Sequence, residues 1–297
     1  MADKIIIRNT DSEAKLGGVQ ATDVLNGEML LVREVDKERL YCKNSDGEIS
    51  KIHRITNCGG FESEKDYVDL GLPSGLLWAK KNIGAATEED AGWYFQWGDT
   101  VGYTAEQVGV DKEFAKDYSD YKWFDGDNIT KYTGTGSTGD GLTTLEAIDD
   151  AATQIMGSDW RIPTKEELGE LIENTDIYIV TINNEEVRAT YSKNNLYRFE
   201  FSNLTESSKK GIKFYSKTNH SVYLFIPAGG FIGEININDD VKFMGNQNSL
   251  GIWSSSLSIL EKESYSLTIT GFQYRSGDVN RHFRRHGYNI RPVKSPQ

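Results

Sequence analysis

Apolar residues in this sequence come in short runs, and that pattern constrains the fold most. Segments such as "KIIIRN", "LLVREV" and "SVYLFIP" carry the β-branched and aromatic residues typical of short strands. Polar turns separate them, and the chain has 29 glycines against 5 prolines, which favours many tight turns. The sequence therefore predicts the α+β class, with short antiparallel strands, two helices and long loops.

Two stretches have helical periodicity. In "TTLEAIDDAATQIMG", Thr143 and Glu146 have capping-box spacing, and Gly157 stands where a C-terminal cap belongs. The apolar face of this helix is Leu145, Ile148, Ala152 and Ile155. In "WRIPTKEELGELIENT", Thr164 and Glu167 repeat the capping box. The second apolar stripe is Leu168, Leu171 and Ile172.

The chain before and between these helices is organised differently. Residues 1–60 alternate strand-like runs with polar turns, and so small a set of hairpins buries little surface alone. We therefore predict a small β-rich attachment or oligomerisation module at 1–60 and a main domain at 61–297, joined through "NCGGFESEKD". The polar stretch 111–140 predicts a long surface excursion.

The formal net charge is −12, and such a field repels phosphates, which argues against general binding of nucleic acid. No apolar window is long enough for a membrane-spanning helix, and "MADKIIIRNTDSEAK" lacks a signal-peptide pattern. We expect a protein made in the cytoplasm, without membrane insertion. Cys42 and Cys58 are too few for a disulfide framework, and whether they bridge is left open.

Six strings occur in order along the main domain: "VDLGLPSGLLWA", "GWYFQWGDT", "WRIPTKEEL", "FIPAGG", "GIWSSS" and "RHGYNIRPV". Together they resemble the Fibrobacter-succinogenes major paralogous domain of Fibrobacter and Bacteroides surface proteins. That domain is similar to the C-type-lectin-like fold of formylglycine-generating enzymes. The resemblance covers roughly residues 66–293 and implies a C-type-lectin-like fold for most of the chain.

The last two strings also resemble the frame of variable proteins from diversity-generating retroelements, whose final strands and loops display hypermutated binding residues. The N-terminal "GEMLLVREVDKERLY" resembles segments of phage tail-fibre proteins. Both resemblances imply a phage- or prophage-encoded receptor-binding protein of the virion or tail, acting outside the cell. Its expected partner is a bacterial surface protein or glycan. A homo-oligomer such as a trimer is left open, because no heptad repeat specifies one.

Some residues match the family frame and are expected to be structural. They are Trp253, Arg285, Gly287, Arg291 and Pro292. A buried Trp supplies core area, and Gly287 suits a turn that a Cβ would obstruct. An arginine among apolar neighbours usually pairs with an acid or with backbone carbonyls. The same structural class holds Trp78, Trp97, Trp160, Arg161 and Pro163.

Between the frame residues, the basic segment "FQYRSGDVNRHFRRHGY" mixes rings, cations and small polar residues without a core period. Binding loops use this mixture, because aromatic rings give contact area with few rotors and small polar residues give adaptable hydrogen bonds. The predicted ligand-binding residues are Ser258, Ile259, Tyr274, Arg275, Ser276, Asp278, Asn280, His282, Phe283, Arg284, His286 and Tyr288. The alternative is a solvated, irregular loop.

Catalysis is not expected, and neither is a cofactor. His282 and His286 are four residues apart, but "HFRRH" lacks the glutamate of a zinc-peptidase helix. Both cysteines precede the main domain, so the thiol chemistry of formylglycine-generating enzymes has no thiol there. A lesser candidate for calcium is the loop set Asp125, Asp127, Asn128 and Asp140. A fixed adhesin, or a structural tail protein without a diversified site, remains the alternative to a variable binding protein.

Overall fold

The computed structural model describes residues 66–108, 114–115, 117–192, 197–201, 209–234, 249–269 and 276–296 with their side chains, and five further strands as backbone. The chain divides into two compact units, Met1–Glu64 and Lys65–Gln297. The sequence places this division a few residues earlier, after residue 60.

The first unit contains one sheet of four strands in chain order. They are β1 (Ile7–Thr10), β2 (Met29–Glu34), β3 (Lys37–Lys43) and β4 (Ile49–Ile52). β1 and β2 are parallel, and the other two pairs are antiparallel. Cys42 lies in β3 opposite Met29 and Ser50, whereas Cys58 lies outside the described residues.

The second unit is built mostly of short antiparallel strands, and its described residues include two α-helices. The strands are β5 (Tyr67–Asp69), β6 (Leu77–Ala79), β7 (Thr175–Thr181), β8 (Glu186–Arg188), β9 (Thr190–Ser192), β10 (Arg198–Glu200), β11 (Lys209–Ser216), β12 (Tyr223–Pro227), β13 (Phe231–Gly233), β14 (Lys242–Met244), β15 (Leu250–Leu257), β16 (Glu263–Ile269), β17 (Ser276–Phe283) and β18 (Val293–Lys294). The helices are α1 (Ala151–Met156) and α2 (Lys165–Glu173).

Two antiparallel sheets contribute to the main hydrophobic core. Their strand orders are β12-β11-β7-β8 and β15-β16-β17-β10-β9. Strand residues alternate between faces, so that every second one reaches this core. The first sheet supplies Ile177, Ile179, Ile212, Phe214, Leu224 and Ile226, and the second supplies Phe199, Leu250, Ile252, Leu267, Ile269 and Val279. Helix α2 adds Leu168, Leu171 and Ile172, the stripe predicted from its sequence.

Residues 284–293, which we name the C-terminal seam, are all buried. The backbone of Tyr288 exchanges two hydrogen bonds with that of Phe95, and Gly287 does the same with Ile232. Further along, Ile290 accepts a hydrogen bond from the amide of Ile83 (3.0 Å). The seam thus ties together segments that are far apart in sequence.

The end of the seam pairs with the beginning of the same unit. Strand β18 lies beside β6, which pairs with β5. Arg291 donates from Nε to Asn82 Oδ1 (2.8 Å) and from Nη1 to the carbonyls of Ala79 and Lys80 (3.1 and 2.6 Å). Its side chain is fully buried, and these acceptors replace part of the water it has lost, at Nε and Nη1.

Gly287 is required by packing. It lies in an extended bridge with Ile232, where a Cβ would come within 2.8 Å of both Ile232 and Phe114. The turn expected at this position is therefore wrong.

Helix α1 begins seven residues later than the capping-box spacing predicts, with its N-cap at Asp150 instead of Thr143. Asp150 caps it, since its Oδ1 accepts a hydrogen bond from the amide of Thr153 (3.0 Å). Its Oδ2 accepts one from the amide of Ile162 (2.8 Å). Gly157 ends the helix at φ 97°, as predicted.

Residues 144–145 are extended because they pair with β15, and a short 3-10 helix, Ala147–Asp149, lies between them and α1. Leu145 donates its amide to the carbonyl of Ser255 (3.0 Å), and Thr144 bridges to Ser256. Ile148 is 69% exposed, so its place on the predicted apolar face is wrong, whereas Leu145 and Ala152 are buried as predicted and Ile155 packs against the same cluster. Long-range pairing overrides the local helical pattern here. Helix α2 does have both hydrogen bonds of its predicted capping box, Thr164 with Glu167.

The predicted surface excursion at 111–140 is only partly correct. Tyr118, Tyr121 and Ile129 form a buried cluster, in which the two tyrosine rings meet edge to face at 5.4 Å. Tyr132 is fully buried against Trp97. The tyrosines that made this stretch look polar therefore supply core area.

We expect Asp150→Ala to lower the free energy of unfolding by about 2 kcal/mol, because it removes a helix cap and leaves the buried amide of Ile162 unpaired. Thr143→Ala is the matched control and should change stability by less than about 0.5 kcal/mol, since Thr143 is exposed and caps nothing. Urea unfolding measures both. A larger loss in the Thr143 variant would contradict the observed start of α1.

Candidate ligand-binding site

The turn that joins β15 to β16 carries two exposed apolar side chains. Ile259 is 83% exposed and Leu260 is 48% exposed. Ser258 is buried, and its hydroxyl accepts a hydrogen bond from the amide of Leu260 (3.0 Å). The backbone amide of Ser258 donates to the carbonyl of Glu263 (3.2 Å). We call residues 258–262 the hairpin tip.

A cleft of about 760 Å³ lies beside the hairpin tip. The tip forms one wall, and the loop 133–136 with Thr143 forms the other. Asp140 holds that loop, because its carboxylate accepts hydrogen bonds from the amides of Tyr132 (2.6 Å), Thr133 (3.0 Å) and Leu142 (3.0 Å). Burial raises the pKa of Asp140, but these amides outweigh it and the net shift is downward.

The carboxylates considered for calcium serve the backbone instead. Asp140 is occupied as described, and Asp125 accepts from the amides of Asp127 (3.0 Å) and Asn128 (2.8 Å). Among residues with described side chains, no group of three or more His, Cys, Asp or Glu is placed to hold a metal ion.

The base of the hairpin tip is fixed by the tyrosine cluster below it. The carbonyl of Lys262 accepts hydrogen bonds from the Tyr118 hydroxyl and from the amide of Arg284. The Lys262 ammonium lies 5.6 Å from the Tyr118 ring centroid and 5.5 Å from that of Phe124. The tip therefore presents exposed apolar side chains on a backbone anchored to the core.

Strand β17 carries much of the predicted site. Ser276, Asp278 and Asn280 are half-buried, and so are His282 and Phe283. They remain candidates for contact with a ligand. Between them Arg281 is exposed, with an ion pair to Glu263 at 3.7 Å. Tyr274 and Arg275 lie outside the described residues.

Four predicted contact residues are buried, so their placement on an accessible surface is wrong: Ser258, Arg284, His286 and Tyr288. Arg284 has no exposed surface, because its guanidinium donates to the carbonyls of Lys131 (3.0 Å) and Tyr132. It also lies 4.8 Å from the Trp97 ring centroid.

Tyr288 and His286 are buried for different reasons. The Tyr288 ring packs between Trp253 (4.5 Å) and Phe231 (5.1 Å). His286 lies with Nε2 3.0 Å from a carboxylate oxygen of Glu234, which Arg285 also binds with two nitrogens. Aromatic and charged residues can thus serve a core when partners are available inside it.

The carboxylate of Glu234 is bound by Arg285 and His286 inside the core, and this environment shifts the pKa values of the group. Burial raises the pKa of Glu234, but hydrogen bonds from His286 and Arg285 outweigh it and hold the pKa at about 2. Burial lowers the pKa of His286 despite the carboxylate. Burial also lowers the pKa of His282 to about 3, with a smaller contribution from His286. Both histidines are therefore neutral at pH 7.

Sequence reasoning missed the wall of the cleft formed by residues 133–136. The sequence predicts only a surface excursion for this stretch, and the extended pairing of residues 144–145 with β15 brings it to the hairpin tip. Two buried tryptophans link the segments of the core. Trp97 Nε1 donates to the carbonyl of Ser254, and Trp253 Nε1 donates to that of Phe95, both at 2.8 Å.

Comparison with known proteins finds no relative of this chain. No protein-family model, no curated protein and no solved structure matches this chain. No helix in the described part of the chain is long and apolar enough to cross a membrane.

We expect Arg284→Ala to lower the free energy of unfolding by about 3 kcal/mol or more, because it leaves two buried carbonyls without donors and a gap beside Trp97. Arg281→Ala, three residues away, should cost at most about 0.5 kcal/mol, since Arg281 is exposed and its ion pair with Glu263 is long (3.7 Å). Chemical denaturation of both variants checks this pair. Equal losses would show that Arg284 is not a core residue.

Stability should also fall in acid. An unfolded histidine titrates near pH 6.5, so between pH 6.5 and about 3 the unfolded chain binds a proton that folded His282 does not. The contribution of His282 is complete above pH 6.5 and decreases below it, by about 1 kcal/mol per pH unit. Urea unfolding at pH 7, 6 and 5 should show a shallower loss for His282→Asn than for the wild type. Parallel curves would contradict the burial of this imidazole.

Proposed function

We propose that this chain is a non-enzymatic recognition protein whose second unit is a C-type-lectin-like domain. It binds a protein or glycan of a bacterial surface with the hairpin tip and the cleft beside it. The observation that carries this proposal is the exposure of Ile259 and Leu260 on an anchored hairpin. Isolated exposed apolar residues are common, but two adjacent ones beside a cleft suit the apolar centre of an interface.

The separation between the buried core residues and the exposed hairpin tip supports a function in recognition. Side chains at the tip contribute little to the core, whereas Trp253, Arg284 and Tyr288 are buried within it. Residues of the tip and the half-buried side of β17 can therefore change while the fold persists. Such a division suits a protein whose binding residues vary.

The buried pair of Glu234 and His286 does not favour catalysis. Glu234 already binds Arg285 and His286, and all three side chains are at most 5% exposed. The cleft beside the hairpin tip is lined by neither Glu234 nor His286. A substrate in that cleft would meet hydroxyl, apolar and peptide groups together with the charged side chains of Glu261 and Lys262, which suit binding.

The wider proposal rests on the sequence resemblances. It is a phage- or prophage-encoded variable protein of the diversity-generating-retroelement type, which acts outside the cell on a virion or tail. Many copies on one particle would amplify a weak single site, because each bound copy raises the effective concentration of the next.

The test uses the fluorescently labelled full chain and intact cells of a panel of Bacteroides strains, with binding measured by flow cytometry. We expect binding to at least one strain, and a loss of about tenfold or more for the double variant Ile259→Asp, Leu260→Ser, because a charge at the centre of an interface is costly. Proteinase K treatment of the cells separates a protein receptor from a glycan.

Val101→Asp is the matched control, since Val101 is 54% exposed and lies outside the cleft. It should bind like the wild type, and thermal unfolding should show that all variants are folded. Undiminished binding by the tip variant, or no binding to any strain, would refute the proposed site.

A further inference from the structure

A second cleft, of about 730 Å³, lies in the same unit and shares no lining residue with the first. It is formed by β5, β6, the turn before β12 and the residues around β18. Its volume is within the range of small-molecule sites. Its lining combines two tyrosines, Tyr67 and Tyr223, with Ser221 and four charged residues. The charged residues are Asp69, Lys80, Glu88 and Lys294.

The charges of this cleft are balanced. Two carboxylates and two ammonium groups line it, and none of the four forms an ion pair with another described residue, although Asp69 accepts a hydrogen bond from the amide of Gly71 (2.9 Å). They offer a ligand both hydrogen-bond acceptors and donors. Since their charges cancel, the cleft gives no net attraction to a polyanion. A neutral ligand rich in hydroxyl groups, which both donate and accept, matches this lining.

The two tyrosines supply ring surface. Tyr223 is 37% exposed, and the ammonium of Lys213 lies 4.4 Å from its ring centroid. Tyr67 is half-buried, with the ammonium of Lys294 4.3 Å from its ring centroid. Neither hydroxyl forms a hydrogen bond with the described protein. An ammonium group covers one face of each ring. Since both residues line the cleft, the remaining ring surface can pack against the C–H groups of a pyranose, which favour the electron-rich face of an aromatic ring.

Aromatic surface continues from the cleft along the outer face of the first sheet. Tyr223 contacts Tyr215 with ring centroids 5.4 Å apart, and Tyr215 stacks on His220 at 4.7 Å with an angle of 8° between the planes. Tyr178 meets Tyr215 edge to face at 5.4 Å. This face is opposite the one that packs into the core, because Ile177, Ile212 and Phe214 alternate with these residues along β7 and β11.

Polar groups accompany these rings. Glu186 accepts hydrogen bonds from Lys213 (2.7 Å) and from the Tyr215 hydroxyl (2.9 Å), and Asp176 pairs with Arg188 (2.8 Å) and lies 3.2 Å from His220 Nε2. The tract is therefore again balanced in charge. A ligand that extends out of the cleft would meet the same combination of rings and hydrogen-bonding groups.

We propose that this cleft, with the aromatic tract beyond Tyr223, binds a neutral oligosaccharide of several sugar units. The proposal is independent of the hairpin tip, which uses other residues. It gives the domain a carbohydrate site in addition to its proposed recognition of a surface receptor.

The test is affinity electrophoresis of the full chain in native gels that contain one soluble neutral polysaccharide each. The probes are hydroxyethylcellulose, arabinoxylan, mannan and glycogen, and polygalacturonate is the anionic comparison. We expect at least one neutral polysaccharide to retard the wild type. The dissociation constant taken from the retardation should rise about tenfold for Tyr223→Leu and for Tyr67→Leu, because leucine removes the ring face.

Tyr223→Phe should bind within about twofold of the wild type, since it keeps the ring and loses only an unbonded hydroxyl. Tyr265→Leu, another half-buried tyrosine outside the cleft, is the matched control, and circular dichroism verifies that each variant is folded. The proposal is overturned if no neutral polysaccharide retards the wild type, if polygalacturonate alone does, or if Tyr223→Leu and Tyr223→Phe bind equally.

The same gels separate the two proposals. The double variant Ile259→Asp, Leu260→Ser should be retarded like the wild type, because the tip is not part of this cleft. If that variant loses binding to cells but keeps binding to the polysaccharide, both sites stand. If it keeps both, the hairpin tip fails and the carbohydrate site remains.

Discussion

Burial of the C-terminal seam is the constraint on which the rest of this domain depends. Residues 284–293 hydrogen-bond through their backbones to partners that include Phe95, Ile232 and Ile83. Their two fully buried arginines, Arg284 and Arg291, donate to backbone carbonyls of other segments. A buried guanidinium is tolerated only when acceptors replace its lost water, so the loops that carry those carbonyls are fixed in turn. Cations accumulate in the last part of an acidic chain because they hold its core together.

Sequence reasoning succeeded where the determining interactions are local. Helix α2 was predicted because Thr164, Glu167 and the apolar stripe lie within one short segment. The start of α1 was not, because the pairing of Leu145 with Ser255 competes with helix and has no local signal. The class of fold followed from short apolar runs and glycine-rich turns, whereas sheet order and the course of the seam depend on contacts across the whole chain.

The candidate site could be predicted only in part, because its side chains also depend on contacts that are distant in sequence. A segment rich in arginine, histidine and tyrosine has the same composition whether its side chains face a ligand or pair inside a core. Exposure of Ile259 agrees with its predicted place at the edge of the surface, but Arg284 is satisfied by carbonyls that no pattern in the sequence identifies. The carboxylate of Asp140 likewise serves three backbone amides, which shape the loop opposite the hairpin tip. A carboxylate in a polar run therefore cannot be told from a ligand for calcium without its neighbours.

The position of the seam also determines when this domain can fold. A ribosome makes residues 66–269 before it makes the strand and seam that join them, so most of the main core waits with apolar faces uncovered. Contacts between the two ends of the unit, such as β18 with β6, are distant in sequence and form slowly. The nascent domain is then exposed to aggregation until Val293 has left the ribosomal tunnel. A chain that stopped before Arg291 and β18 would have nearly all of its core residues and lack the segment that closes them.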